Sequence, residues 1–151
     1  LDKIIKAGDT VLDIGCGSGI LSIIALMLGA GEARAVDIDP SCKKIAYSNA
    51  ALNGIGEDVY TVLDGNILID EEFKRGTEKS GPYDIVVANI VADVIIPLAS
   101  DVKRYLKDGG TFIASGIIEM RIDEVREAIE KNGFSIQEIK KENDWYCIIS
   151  R

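Results

Sequence analysis

Histidine is absent from the 151 residues. That one absence removes Ser-His-Asp nucleophile chemistry, histidine general bases and histidine metal sites together. Cysteine is sparse. Cys16, Cys42 and Cys147 stand at wide, odd spacing that fits neither a zinc site nor a disulfide framework, so a reducing cytoplasm is expected and no metal is. Long hydrophobic runs are missing too: the apolar stretches break at glycine or a charge within about ten residues, too short to cross a membrane. No signal-peptide pattern opens the chain. Positive charge is in deficit, with 17 Lys and Arg against 25 Asp and Glu and a net charge of −8. Binding to nucleic acid draws most of its affinity from cations that neutralise phosphates, so no direct nucleic-acid contact is expected, and Lys140-Lys141 is too short a patch to change that. An acidic surface suits a cationic partner instead. Internal repeats and low-complexity linkers are lacking as well.

What is present is the composition of one globular domain, 47% hydrophobic and 28% charged, spanning residues 1–151. Its most informative stretch is VLDIGCGSG, Val11 to Gly19, followed by VDIDP, Val36 to Pro40. Val11, Leu12 and Ile14 are the apolar run of a strand buried on both faces. Gly15, Gly17 and Gly19 permit a tight turn and let a ligand approach the backbone. Helical spacing follows at Ile20, Ile23, Ile24, Met27 and Leu28, with Gly29 and Gly31 as stop signals. The next strand, Ala33 to Ile38, carries Asp37 near its end, 22 positions after Gly15. A carboxylate there accepts hydrogen bonds from both ribose hydroxyls and repels a 2′-phosphate. Strand, glycine turn, helix and acid-ended strand in that order build a nucleotide pocket at the carboxyl end of a parallel sheet.

The glycine spacing decides which nucleotide. The dinucleotide fingerprint needs its third glycine three positions after the second, and that position holds Ile20. This disfavours an NAD enzyme. G-x-G-x-G after an acidic strand end, with Asp13 before it and Asp37 after it, resembles motif I of the Rossmann-like methyltransferases, which bind S-adenosylmethionine.

Further along, Asp39 suits a helix cap with Pro40 at the first helical position. That helix runs to about Asn53, is expected to bury Ile45, Ala46 and Leu52, and stops at Gly54. Val59 to Leu63 reads as a third strand, with a turn at Asp64-Gly65-Asn66. Asp70 to Gly81 is polar and turn-rich, and is expected to be a poorly formed connection with room for one short helix. Tyr83 to Asn89 is the next buried strand. Val94 to Leu106 reads as a helix with Pro97 in its opening turns. Asp108-Gly109-Gly110 turns into a fifth strand, Thr111 to Ser115. Arg121 to Asn132 is the most regular amphipathic helix, with Ile122, Val125, Ala128 and Ile129 on one face and Gly133 as its stop. Phe134 to Ile139 and Trp145 to Ile149 alternate as two strands around Lys141-Glu142-Asn143-Asp144. Ahead of the first strand stands only a helix tail with Leu1, Ile4 and Ile5. The fold expected is α/β: a Rossmann-like, seven-stranded, mostly parallel sheet ending in an antiparallel hairpin.

ANIVADVIIPLA (Ala88 to Ala99), LKDGGTFIASGI (Leu106 to Ile117) and NDWYCI (Asn143 to Ile148) resemble the ribosomal protein L-eleven methyltransferase (PrmA) family over nearly the whole chain. The resemblance implies a protein N-methyltransferase that uses S-adenosylmethionine to methylate lysine side chains and the α-amino group of a basic ribosomal protein. By motif position Asp13, Gly15, Cys16, Gly17 and Gly19 belong to the cofactor loop, with Gly15 against the methionine portion. Asp37 falls on the ribose with Ile38 beside it, and Asn66 where the superfamily places an adenine contact. Asn89 falls near the methionine amino group or the incoming amine, which it would orient. The family carries an amino-terminal recognition domain and a glycine- and threonine-rich stretch ahead of motif I. Neither lies within these residues, and the chain opens on Leu1, so it is read as an excised catalytic domain.

Plainer roles compete at several of these positions. Asp13 suits bracing the glycine turn through backbone amides, the three glycines suit helix–sheet packing, and Asp37 suits capping the following turn. Asp64 and Asn66 are also what an ordinary turn wants. Trp145 suits edge packing and Cys16 suits filling space in the loop. In place of an Asn-Pro-Pro-Tyr signature for planar amides and adenines, the chain reads Asn89-Ile90-Val91-Ala92. The alternatives to a protein methyltransferase are an RNA or small-molecule methyltransferase of the same fold and an inactive S-adenosylmethionine-binding fragment.

Overall fold

Side-chain alternation along the first buried strand organises the molecule. The computed structural model describes residues 1–151, and in it β1 (Thr10–Ile14) is an interior strand of the sheet. α1 (Ile20–Met27), β2 (Glu32–Asp37), α2 (Pro40–Leu52), β3 (Tyr60–Asp64), α3 (Glu71–Lys79) and β4 (Tyr83–Asn89) follow in order. The chain is completed by α4 (Ala92–Leu98), β5 (Leu106–Ile118), α5 (Ile122–Lys131), β6 (Ile136–Glu142) and β7 (Trp145–Ser150). The seven strands lie in one sheet in the order β3-β2-β1-β4-β5-β7-β6. All neighbours are parallel except β7, which runs antiparallel to both β5 and β6. The expected sheet and its hairpin ending are therefore present.

Val11 faces a cluster closed by Ile23 and Ala25 of α1 and Ala46 and Ala50 of α2. Leu12 and Ile14 face the opposite, larger cluster, which includes Ile95 and Leu98 of α4 and Val125 and Ile129 of α5. Helices on both faces explain why the interior strands are apolar at most positions. β1 pairs with β2 on one side and β4 on the other, so the strand order reverses there. In open α/β sheets the crevice at that reversal, beyond the carboxyl ends of the strands, is where ligands bind.

Several expectations fail locally. The polar segment from Asp70, read as a poorly formed connection with room for one short helix, is a well-capped nine-residue helix, α3. Asp70 accepts hydrogen bonds from the Glu72 and Phe73 amides, and the acids of the first turn and Lys79 of the last suit the helix dipole. The helix expected to run from Val94 to Leu106 is α4, which starts earlier and ends at Leu98, with Pro97 as its sixth residue. Proline leaves the Asp93 carbonyl without its helical partner, and the chain turns through a single 3₁₀ segment, Val102–Arg104, into β5. β5 begins at Leu106, but Lys107 to Gly110 bulge out between the pairs Tyr83–Leu106 and Ile85–Thr111. The first residues form an isolated turn, not a helix tail.

Burial also departs from apolar periodicity. α1 buries Ser22, Ile23 and Ala25, while Ile20, Ile24, Met27 and Leu28 are exposed. α2 buries Ala46 and Ala50, leaving Ile45 and Leu52 exposed. Small residues face the sheet where helix and strand approach closely. The hairpin turn tightens to Asn143-Asp144, with Asn143 at φ +54°.

Candidate functional site

At the carboxyl ends of β1, β2 and β4, and in the turn after β3, the chain leaves a cleft of about 250 Å³. Gly15, Asp37, Ile38 and Asn66 line it, together with Ile67, Leu68 and Ile90. Ile38 is 68% exposed, an apolar face held open to whatever enters. Asn66 is partly committed to its own turn, since its Oδ1 accepts from the Leu68 amide at 3.0 Å.

Asp37 does two things at once. One carboxylate oxygen accepts from the Gly17 amide at 2.8 Å and the other from the Asp39 amide at 2.9 Å. Each oxygen keeps a further lone pair for a ligand hydroxyl. Asp37 therefore ties the glycine loop to the turn before α2 while its carboxylate still borders the cleft. Capping of α2 itself falls to Asp39, whose side chain accepts from the Ser41 amide.

The loop amides bear on the kind of nucleotide. Gly15 and Cys16 donate to the Val36 carbonyl, Gly17 to Asp37, and Gly19 to the Cys16 carbonyl. The amino end of α1 already holds an acid: Asp13 Oδ2 accepts from the Ser22 amide at 3.2 Å and the Ser22 hydroxyl at 2.7 Å. A pyrophosphate cradle needs those amides and that helix end free. Here those four loop amides are taken by backbone carbonyls and Asp37, and Ser22 at the helix start is taken by Asp13. With apolar surfaces at Ile38, Ile67 and Leu68 and the Asp37 carboxylate at the end of β2, the cleft suits a nucleoside better than a pyrophosphate.

The remaining predicted residues sit behind the cleft. Asp13 is 1% exposed and points into the α1 side of the sheet. Burial pushes its carboxyl up to about 6, against the opposing pull of the Ser22 bonds. Cys16 packs into the same apolar cluster, and burial first, then Asp13 and Asp37, pushes its thiol up to about 12, which keeps it protonated and inert. Gly19 caps α1 at φ +79°, where an added β-carbon would press on Tyr60 and Ala46.

Asn89 lies across the Ile90 wall, in a second and larger groove of about 490 Å³ over the ends of β4, β5, β6 and β7. Its Oδ1 accepts from the Ser115 hydroxyl at 3.1 Å. Two cavities thus meet at the end of β4, one with Asp37 and one with Asn89.

The model of the family described as ribosomal protein L11 methyltransferase (PrmA) matches residues 1–151. The chain belongs to this family. A ribosomal protein L11 methyltransferase of Agathobacter rectalis is 48% identical over 97% of the chain, which covers 45% of that protein. One from Bacillus cytotoxicus is 42% identical over the whole chain, covering 46% of its length. The chain thus spans about half the length of the curated relatives it matches. The crystal structure of a ribosomal protein L11 methylase from Lactobacillus delbrueckii subsp. bulgaricus superposes with a TM-score of 0.85 at 32% identity, covering 98% of this chain and 71% of that one. A putative methyltransferase solved with S-adenosylhomocysteine reaches a TM-score of 0.81 at 17% identity over 96% of this chain and 46% of its own, a likeness of fold.

Within this family member, sequence reasoning missed Ile67, Leu68, Ile90 and Val94 as cleft-lining residues. Ile90 carries the most consequence, because a β-carbon at Gly15 would run into its Cγ2. The only signal available was its place directly after Asn89, at the end of a buried strand. Tyr146 and Glu142 of the second groove were equally hidden, and Trp145, read as edge packing, lines it too, since pairing across the hairpin is what brings them beside Asn89.

Proposed function

We propose that this chain is the cofactor-binding catalytic domain of a protein N-methyltransferase that uses S-adenosylmethionine to methylate lysine side chains and the α-amino group of ribosomal protein L11 in the cytoplasm. The observation that carries the reading is Asp37, a carboxylate that borders an apolar cleft and is braced by a loop whose three glycine amides are already bonded within the protein. Family membership over residues 1–151 supports the same reaction class.

When bound, S-adenosylmethionine supplies a methyl group on a sulfonium, a leaving group that needs no protonation. In this reading Asp37 accepts from the ribose hydroxyls, Ile38 and Asn66 flank the adenine, and Gly15 leaves room for the methionine portion. The acceptor amine must arrive neutral, although a free lysine has a pKa of about 10.4. The chain has no histidine to take that proton. Withdrawal from water in the closed site lowers the amine's pKa and releases the proton to solvent. Asn89 presents its side-chain oxygen to orient the nitrogen, and an amide is no base. Alignment, rather than acid–base work, then supplies most of the rate.

Calorimetry with S-adenosylmethionine and NAD side by side tests the cofactor. Binding of S-adenosylmethionine with no measurable NAD binding is expected, and tighter NAD binding would overturn the reading. Asp37→Asn keeps an acceptor for the loop but loses the charge, and should weaken S-adenosylmethionine by roughly 10- to 100-fold, the range for hydrogen bonds to a charged group. Unchanged affinity would remove Asp37 from the ribose.

A further inference from the structure

We propose that the groove beside Asn89 receives the acceptor as a cationic primary amine on a flexible stem, with Glu142 recruiting the charge and Trp145 covering the stem. This rests on the methyl-transfer reading and names the residues that select its substrate.

Strand register assembles the groove. Asn89 pairs with Ser115, Ser115 with Cys147, and Cys147 with Lys140, so one row of side chains crosses four strands. Two residues on, and so on the same sheet face, Glu142 pairs with Trp145. That second row stands about 7 Å further along the strands. Trp145 is 55% exposed although it borders a concave surface, an arrangement that leaves an indole face free for a ligand.

The charges point one way. Lys140 is paired with Glu138 at 3.6 Å, and Lys141 with Glu119 at 2.6 Å, where Tyr146 also donates its hydroxyl. Glu142 has no ion-pair partner and borders the groove, so the groove's unneutralised charge is negative. A carboxylate beside an aromatic face attracts a lysine ammonium and covers its methylenes. The same carboxylate repels the phosphates that a nucleic-acid substrate would bring next to its base. The amine is thus held as a cation at the rim and reaches Asn89 only by leaving Glu142 and water behind.

Trp145 is the sole tryptophan, so its fluorescence reports on this groove alone. A short peptide alternating glycine and lysine is titrated into the protein, with and without saturating S-adenosylhomocysteine. A glutamine-for-lysine version and a single-stranded oligonucleotide serve as the other arms. Saturable change with the lysine peptide alone is expected. Glu142→Gln should weaken the peptide about two- to fivefold, the range for exposed charge pairs, while Lys140→Gln tightens or preserves it. Calorimetric S-adenosylhomocysteine affinity should stay the same in both variants. No response to the lysine peptide, an equal response to the glutamine peptide, a response to the oligonucleotide, or full affinity in Glu142→Gln overturns the proposal. Loss of S-adenosylhomocysteine binding with an intact peptide response would instead count against the cofactor reading.

Discussion

Alanine substitution at Gly17 and Gly19 separates the conformational and packing demands on the glycine loop. Gly19 has φ +79°, a left-handed conformation that costs an L-residue about 1–2 kcal/mol. An alanine β-carbon there would also lie 2.5 Å from Tyr60 Oη and 2.9 Å from Ala46 Cβ. Tyr60 and Ala46 are fully buried, so neither has space to retreat. Overpacking of this kind costs about 1–3 kcal/mol, giving about 2–5 kcal/mol in all. Against a typical stability of about 5–15 kcal/mol, that loss is large but survivable. Gly17 has φ +52° with nothing within 4 Å of the β-carbon position, so Gly17→Ala incurs the conformational cost of about 1–2 kcal/mol alone. Urea unfolding followed by far-ultraviolet circular dichroism should place the Gly19→Ala midpoint well below that of Gly17→Ala, with equal slopes. Coincident midpoints would refute the packing argument and leave backbone strain as the whole reason for the third glycine.

Asp13 sets a pH dependence. Its folded carboxyl titrates at about 6 and its unfolded one at 3.8, so the folded chain binds more protons between those values. Native stability therefore falls as pH rises through that window, by up to about 1.4 kcal/mol per pH unit. Asp13→Asn retains an acceptor for Ser22 and should flatten that limb in a profile of Tm against pH; an unchanged slope would assign the effect elsewhere. Asp70→Ala removes the acceptor for two α3 amides and should cost about 1 kcal/mol. Amide exchange should quicken in α3 without loss of S-adenosylmethionine affinity, and unaltered exchange there would show that packing of Phe73 holds the helix by itself.

The strands were legible because a strand buried on both faces is a nearly continuous apolar run, and VLDI, AVDI and YDIVVAN are such runs, each broken by a single aspartate. Helix faces were legible in α5, where Val125 and Ile129 are buried and Ile122 and Ala128 pack against the core as their spacing predicts, but not in α1 or α2. In α1 the periodicity singles out the bulky residues, yet Asp13 beneath the helix requires Ser22, and Ile20, Ile24, Met27 and Leu28 turn outward as a result. The helix α3 was illegible for the opposite reason. Its stability comes from the Asp70 cap, from its terminal charges, and from Phe73 packed beneath Gly65 against the larger core cluster. Such contributions leave little hydrophobic pattern.

The candidate site divides in the same manner. Asp37 and Gly15 were legible, since a carboxylate at a strand end and a glycine at the turn have few other uses in that order. Ile90 was illegible because an isoleucine after a strand carries no chemistry of its own. Yet Ile90 explains Gly15 from within the protein: their side chains compete for one space, and only glycine concedes it. Extended chain turns successive side chains to opposite sides, so Asn89 enters the larger groove while Ile90 walls the smaller cleft. In the proposed reading, with the cofactor in the cleft and the amine in the groove, the methyl passes between them over the carboxyl edge of the sheet at this pair. Moving the β4 end by one residue would exchange the polar and apolar sides of that boundary, and both cavities would lose the wall that defines them.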